Sequence, residues 1–178
     1  MKKVTLHDKT FSISIPYAEI QQAIERVAAQ INRDMVGETP IFVGLLNGAF
    51  MFAADLLKLV EIPAEVSFIK YSSYQGTQSS GEVSELIGLN TNLKGRTVII
   101  IEDIIDTGTT VTKLLKDLQS KELKQVKIAT LLFKPEAFKG NYAVDYIGFS
   151  IPNDFIVGYG LDYDELGRNL KDIYTLVP

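Results

Sequence analysis

The sequence predicts one α/β domain over residues 1–178, a doubly wound and mainly parallel sheet flanked by helices. Three observations predict it. Short β-branched and aliphatic runs alternate with stretches whose apolar positions recur at three and four, as strands joined through helices do. The runs Ile41 to Leu45 and Val98 to Ile101 are apolar without interruption, the pattern of strands covered on both faces. The residues Asn47, Asp106, Lys134 and Phe155 fall at or just beyond strand ends, or in the adjoining segment, where an open parallel sheet binds its ligands.

In chain order, Val4 to Ile15 mixes polar and apolar residues around a turn at Asp8-Lys9 and reads as an edge hairpin or extended arm. From Tyr17 to Met35, the positions Ile20, Ala23, Ile24, Val27, Ala28 and Ile31 mark an amphipathic helix that Gly37 and Pro40 end. Ile41 to Leu45 is a buried strand, Leu46-Asn47-Gly48 a loop, and Ala49 to Val60 a helix with Pro63 beyond it. Glu65 to Tyr71 is a strand; Ser72 to Glu85 is polar and glycine-bearing, a mobile loop of the kind that closes over reactive centres. After the central unit come a strand at Gln125 to Phe133, ending at Lys134-Pro135, and short strands at Tyr146 to Phe149 and Phe155 to Tyr159.

Composition narrows the function. A chain of 178 residues, 46% hydrophobic and 10% aromatic, can bury one substantial core. Eighteen basic residues against 22 acidic give a net charge of −4 with no basic run, which argues against nucleic acid or an anionic membrane as partner. With no cysteine and one histidine, His7, there is no thiol chemistry and no zinc set, so any metal should be Mg²⁺ held by oxygen. Met-Lys-Lys leads into His7, Asp8 and Lys9 instead of an apolar core, and the most apolar window, Ile41 to Val60, is broken by Asn47, Asp55 and Lys58; a cytoplasmic protein is expected.

The chemistry concentrates between Thr97 and Thr112. Val98 to Ile101 stop at the adjacent acids Glu102 and Asp103; Asp106, Thr107, Gly108, Thr109 and Thr110 form a turn; Val111, Leu114, Leu115 and Leu118 open a helix. A helix start offers unpaired N–H groups and partial positive charge, which suit a phosphate monoester. Gly108 allows close backbone approach and the threonines add donors, whereas Glu102 and Asp103 accept from sugar hydroxyls or hold Mg²⁺. The segment lacks the lysine of a Walker loop and the spaced glycines of a dinucleotide fingerprint. A plain buried strand and capped helix would use Asp106 as the N-cap, but leaves three carboxylates in five residues without a role.

Ile101-Glu102-Asp103-Ile104-Ile105-Asp106-Thr107-Gly108 closely resembles the phosphoribosyl-pyrophosphate (PRPP) motif of type I phosphoribosyltransferases, above all the hypoxanthine-guanine branch. Phe133-Lys134-Pro135 and the run from Asp154 to Tyr163 resemble that branch's base-binding segments, a small hood over the sheet, so the likeness covers most of residues 40 to 175. The resemblance implies that Glu102 and Asp103 contact the ribose hydroxyls and Mg²⁺, that Thr107 to Thr110 bind the 5′-phosphate, and that Asp106 acts beside purine N7. It implies that Lys134 donates to purine O6, Phe155 stacks on the ring, the Ile156 carbonyl faces the base edge, and Asp162 lies by the purine and a second Mg²⁺. Read without it, Lys134 snorkels to solvent or meets a ligand, Phe155 is a core aromatic or a platform, and Asp162 with Arg168 is a surface pair.

The resemblance further assigns Arg168, Asn47 and Gly48 to pyrophosphate, Ser73-Tyr74 to the closing loop, and a homodimer or homotetramer to the assembly. Asn47 is a departure, standing where many relatives carry lysine, and an Asn-Gly pair also makes a tight turn on its own account. The implied reaction is Mg²⁺-dependent transfer of 5-phosphoribosyl from PRPP to N9 of hypoxanthine or guanine. A transferase acting on another base, such as xanthine, and a PRPP-sensing or RNA-binding regulator are the alternatives.

Overall fold

The alternation of strands and helices resolves into two sheets of unequal size. The structure, a computed structural model, describes residues 2–71, 85–87 and 91–177. The elements run β1 (Lys3–Leu6), β2 (Lys9–Ile15), α1 (Tyr17–Asp34), β3 (Ile41–Leu46), α2 (Phe50–Leu57), β4 (Glu65–Tyr71) and β5 (Glu85–Ile87). They continue with β6 (Thr97–Ile105), α3 (Thr109–Leu118), β7 (Gln125–Phe133), β8 (Tyr146–Ser150), β9 (Ile156–Val157) and β10 (Ile173–Leu176). The large sheet has the order β5-β4-β3-β6-β7-β8, with β4, β3, β6, β7 and β8 parallel and β5 antiparallel at the edge. The small antiparallel sheet, β1-β2-β10-β9, is the hood.

Strand alternation sends successive side chains to opposite faces, and β6 shows what that builds. Ile99 and Ile101 join Phe42, Ala129 and Leu131 beneath α1 and α2, which supply Ile20, Ile24, Phe52 and Leu56. Val98 and Ile100 face the other way, joining Ile41, Val43 and Ile128 against Val111, Leu114 and Leu118 of α3. Every apolar position that marked α1 as amphipathic is buried. Phe11, Val157 and Tyr174 form a third, smaller core inside the hood. Among the described residues, no helix is long and apolar enough to cross a membrane.

Several boundaries differ from the sequence reading, each for a tertiary reason. Helix α2 ends at Leu57, short of Val60, because Asn32 of α1 takes over the backbone there: its amide donates to the Leu59 carbonyl and accepts from the Glu61 N–H, both at 2.9 Å. Strand β6 does not stop at the acids. Pairing with β7 carries it through Glu102, Ile104 and Ile105, partnered by Thr130, Leu132 and Phe133, so both carboxylates sit inside a strand. The segment expected as a strand from Phe155 to Tyr159 is extended only at Ile156–Val157, and it belongs to the hood. Strand β10, Ile-Tyr-Thr-Leu, is β-forming in composition but too short to stand out from the sequence; its pairing with β2 and β9 defines it. The hairpin turns at His7 and Asp8.

Candidate functional site: two hollows meeting at Asp106

The carboxyl end of β6 divides two adjoining hollows. The first, about 240 Å³, is lined by Glu102, Ile104 to Thr110 and Val111. Gly108 is the N-cap of α3 in the left-handed region, φ +81°, and no side chain caps the helix, so Asp106 does not serve as the cap that a plain strand and helix would make of it. The first turn of α3 therefore keeps its N–H groups free for an anion. Thr107 and Thr109 add hydroxyls, their Oγ1 atoms 3.0 Å apart, and Thr109 and Thr110 are exposed.

The second hollow, about 260 Å³, is lined by Asp103, Ile104, Asp106, Lys134, Phe155, Ile156, Leu161 and Asp162. Lys134, at the end of β7, is 7% exposed and its Nζ donates to Asp106 Oδ2 at 3.2 Å. A buried ammonium needs such a partner, and this one fixes Lys134 at the mouth of the cleft instead of letting it snorkel away. Phe155 is 44% exposed and is propped by its neighbours: Phe11 lies 6.0 Å away and Tyr163 meets it edge-on at 5.7 Å. A half-bare ring held from behind is a platform for a flat heterocycle.

Glu102 and Asp103, adjacent in sequence, enter different hollows, as neighbours in a strand must. Burial pushes the Glu102 carboxyl well above its ordinary range, with the Asp103 charge adding to it. Burial likewise raises Asp103 to about 6, against its own backbone hydrogen bonds and the Arg168 guanidinium, while Asp162 raises it further. Arg168 supports the cleft from outside through Asp162: it pairs with Asp162 at 2.8 Å and donates to the Gly160 carbonyl at 3.0 Å. Among the described residues, only Glu102 Oε2 and Arg168 Nε are buried side-chain polar atoms without a hydrogen-bond partner. Orphaned polar atoms are costly, and both lie on residues expected to meet substrate.

The loop after β3 closes the site from a third side. A Cβ on Gly48 would run into the Asp103 carboxylate, and a Cβ on Gly160, at φ +102°, would run into the Gly48 carbonyl. The backbone from Leu46 to Ala49 is thus wedged between β6 and the hood, and the Leu46–Asn47 peptide is cis. Asn47 and Gly48 line neither hollow, although Gly48 abuts Asp103, and Arg168 lines neither directly. Ser73 and Tyr74 lie outside the described residues. The sequence reading missed Tyr159 and Tyr163. Tyr159 is fully buried and donates to Asp55 Oδ2 at 2.5 Å, pinning the glycine-flanked turn to α2; Tyr163 ties Asp8 and Lys9 of the hairpin to Phe155. Their signal was the run from Asp154 to Tyr163, which sets Tyr159 between two glycines and ends on the tyrosine following Asp162.

Among the described residues, no three His, Cys, Asp or Glu side chains converge as a metal cage. Mg²⁺ does not require one, since it commonly binds one or two carboxylates and completes its shell with water and substrate phosphate oxygens. Asp103 and Asp162, buried or half-buried and facing one cleft, fit that demand.

A parallel sheet with a strand–acid–turn–helix centre, roofed by a small antiparallel hood, defines a type I phosphoribosyltransferase fold. Residues 16–164 match the phosphoribosyl transferase domain, and the chain belongs to that family. It is 39% identical over 174 residues to a hypoxanthine-guanine phosphoribosyltransferase of Staphylococcus aureus, covering 97% of each chain. A crystal structure of a hypoxanthine phosphoribosyltransferase from Staphylococcus aureus superposes with a TM-score of 0.87 at 40% identity, covering 94% of this chain and 91% of the other. The bifunctional protein TilS/HprT of Listeria monocytogenes is 42% identical over 98% of this chain, which spans 27% of that longer protein.

Proposed function

We propose that this chain is a purine-salvage enzyme that transfers the 5-phosphoribosyl group of PRPP to N9 of hypoxanthine and guanine, releasing pyrophosphate with IMP or GMP. The observation that carries this reading is Asp106, which lines both hollows and holds the Lys134 ammonium at 3.2 Å. A 5′-phosphate on the open start of α3 puts the ribose over the end of β6, and a purine against Phe155 brings its edge to Lys134. The two substrates then meet beside one carboxylate.

The chemistry follows from those positions. The bond from ribose C1 to pyrophosphate breaks, the bond from C1 to N9 forms, and the proton of the imidazole ring passes to or is shared with Asp106. Lys134 donates to a 6-oxo group and cannot do so to the 6-amino group of adenine, itself a donor. Glu102 and Asp103 take ribose hydroxyls. Arg168 and the N–H groups of the Asn47-Gly48 loop steady the leaving group. Asp103 and Asp162, with Glu102 directly or through water, would hold Mg²⁺, whose bound charge offsets that developing on pyrophosphate. A cytoplasmic setting and a homodimer or homotetramer accompany this reading.

Nucleotide formation from PRPP and Mg²⁺ with each of hypoxanthine, guanine, xanthine and adenine tests it. Turnover of the first two, with adenine refused, is expected. If no purine is converted while PRPP still binds, the chain is a PRPP-binding regulator and the transferase reading is wrong.

A further inference from the structure

The back of the phosphate loop is as closely fitted as its front. The Gly108 carbonyl receives three donors: the Thr112 N–H at 3.0 Å, the Thr112 hydroxyl at 2.8 Å and the Tyr142 hydroxyl at 3.0 Å. The preceding carbonyl, Thr107, accepts from the Lys139 N–H at 3.1 Å. Both bonds from beyond the helix therefore come from one short segment after β7. Its aromatic rings meet the last residue of β7 edge to face in series, Phe133 on Phe138 at 5.2 Å and Phe138 on Tyr142 at 5.1 Å. Gly140 makes that meeting possible, since a Cβ there would lie 2.5 Å from Tyr142 and 2.6 Å from Phe138.

The same rings occupy the space that a side chain at position 108 would need. A Cβ on Gly108 would lie 2.6 Å from the Tyr142 hydroxyl and 2.7 Å from Phe138. Glycine serves twice at this position: it adopts the left-handed backbone and admits the ring that holds its carbonyl. Burial pushes the Tyr142 hydroxyl up to about 12, against its hydrogen bond with Thr112 and with the Glu102 charge adding to it.

We propose that Tyr142, backed by Phe138, is a positioning residue for the sugar phosphate: it fixes the Gly108 carbonyl away from the hollow so that the loop's N–H groups face the 5′-phosphate. A carbonyl oxygen turned toward the hollow would oppose the same phosphate that the N–H groups attract. This inference rests on the reading of the first hollow as a 5′-phosphate site. It assigns no contact with the purine to Tyr142.

Ribose 5-phosphate binding by calorimetry, together with steady-state KM and kcat, separates this role from a purely structural one. Tyr142→Phe removes one donor of three and should weaken ribose 5-phosphate and raise KM for PRPP about three- to tenfold, leaving KM for hypoxanthine unchanged. Tyr142→Leu, which also removes the ring, should do more. Tyr146→Phe is the matched control, because Tyr146 also spends a partly buried hydroxyl on a hydrogen bond, 3.0 Å to Asp34, outside both hollows. It should lower Tm without moving ribose 5-phosphate affinity. Equal Tm losses in Tyr142→Phe and Tyr146→Phe with ribose 5-phosphate bound as tightly as by the unmodified chain would overturn the proposal. If the unmodified chain binds ribose 5-phosphate but forms no nucleotide from any purine, the transferase reading fails and this inference is still decided by the variants' affinities.

Discussion

The hollow proposed for the phosphate and the cleft proposed for the base share Asp106 and Ile104 but are built in different ways. The first is made from a single stretch, Glu102 to Val111, in which one strand end and one helix start supply every lining residue. The second draws on β6, the end of β7, the β8–β9 connection and the turn carrying Leu161 and Asp162, and so depends on how the hood lies over the large sheet. Local geometry makes the first; tertiary registration makes the second. Substitutions should therefore split by substrate, and the size of the split ranks the residues.

The largest effect should come where the two regions join. Asp106→Asn removes the proposed proton acceptor and should lower kcat by about 10²–10⁴, with PRPP binding little changed. Near-normal turnover in that variant would leave Asp106 as a structural partner of Lys134. Next comes the base cleft alone: Lys134→Met forfeits a charge-assisted hydrogen bond, about 1.5–3 kcal/mol, which should appear as a raised KM for hypoxanthine with KM for PRPP unmoved. An equal rise in both would mean that Lys134 holds the two hollows together rather than reading the base.

Removing the paired acids sharpens the comparison from the phosphate side. The double change Glu102→Ala and Asp103→Ala should weaken PRPP more than purine, by about 1–2 kcal/mol, while Tm stays level or rises. The rise is expected because burial raises both carboxyls, and the Asp103 charge adds to the cost of ionising Glu102. Equal calorimetric losses for both ligands would point to a structural role. The smallest effect is assigned to the neutral loop residue. Asn47→Lys should tighten pyrophosphate and strengthen product inhibition by about 1 kcal/mol, and unchanged inhibition with the fold intact would remove Asn47 from the site.

The same contrast governs what could be read from the chain. The phosphate hollow was legible because its residues are contiguous: apolar strand, acids, threonines and glycine, then helical periodicity. One feature could not be seen from residue types alone: the N-cap of α3 is a left-handed Gly108, so Asp106 does not take the capping role that a plain strand and helix would have given it. In the base cleft, Lys134, Phe155, Ile156 and Asp162 were named through family likeness, since nothing in their local sequence separates a ligand-facing lysine from a solvated one. Their convergence depends on β10, four residues whose strand character comes from pairing with β2 and β9. What Tyr159 and Tyr163 bind was hidden for the same reason: their partners Asp55, Asp8 and Lys9 are more than a hundred residues away. The separation of Glu102 from Asp103 needed only strand alternation, once β6 was known to continue through them.

Whether one carboxylate joins two substrate hollows is tested most directly by competition against the joined product. With IMP bound, titration by ribose 5-phosphate and, separately, by hypoxanthine should each displace it, and IMP should bind more tightly than either fragment because it fills both hollows at once. Asp106→Asn should bring the IMP affinity closer to that of its fragments. If hypoxanthine and IMP bind together without competition, the purine does not occupy the cleft between Lys134 and Phe155, and the two-hollow site is wrong.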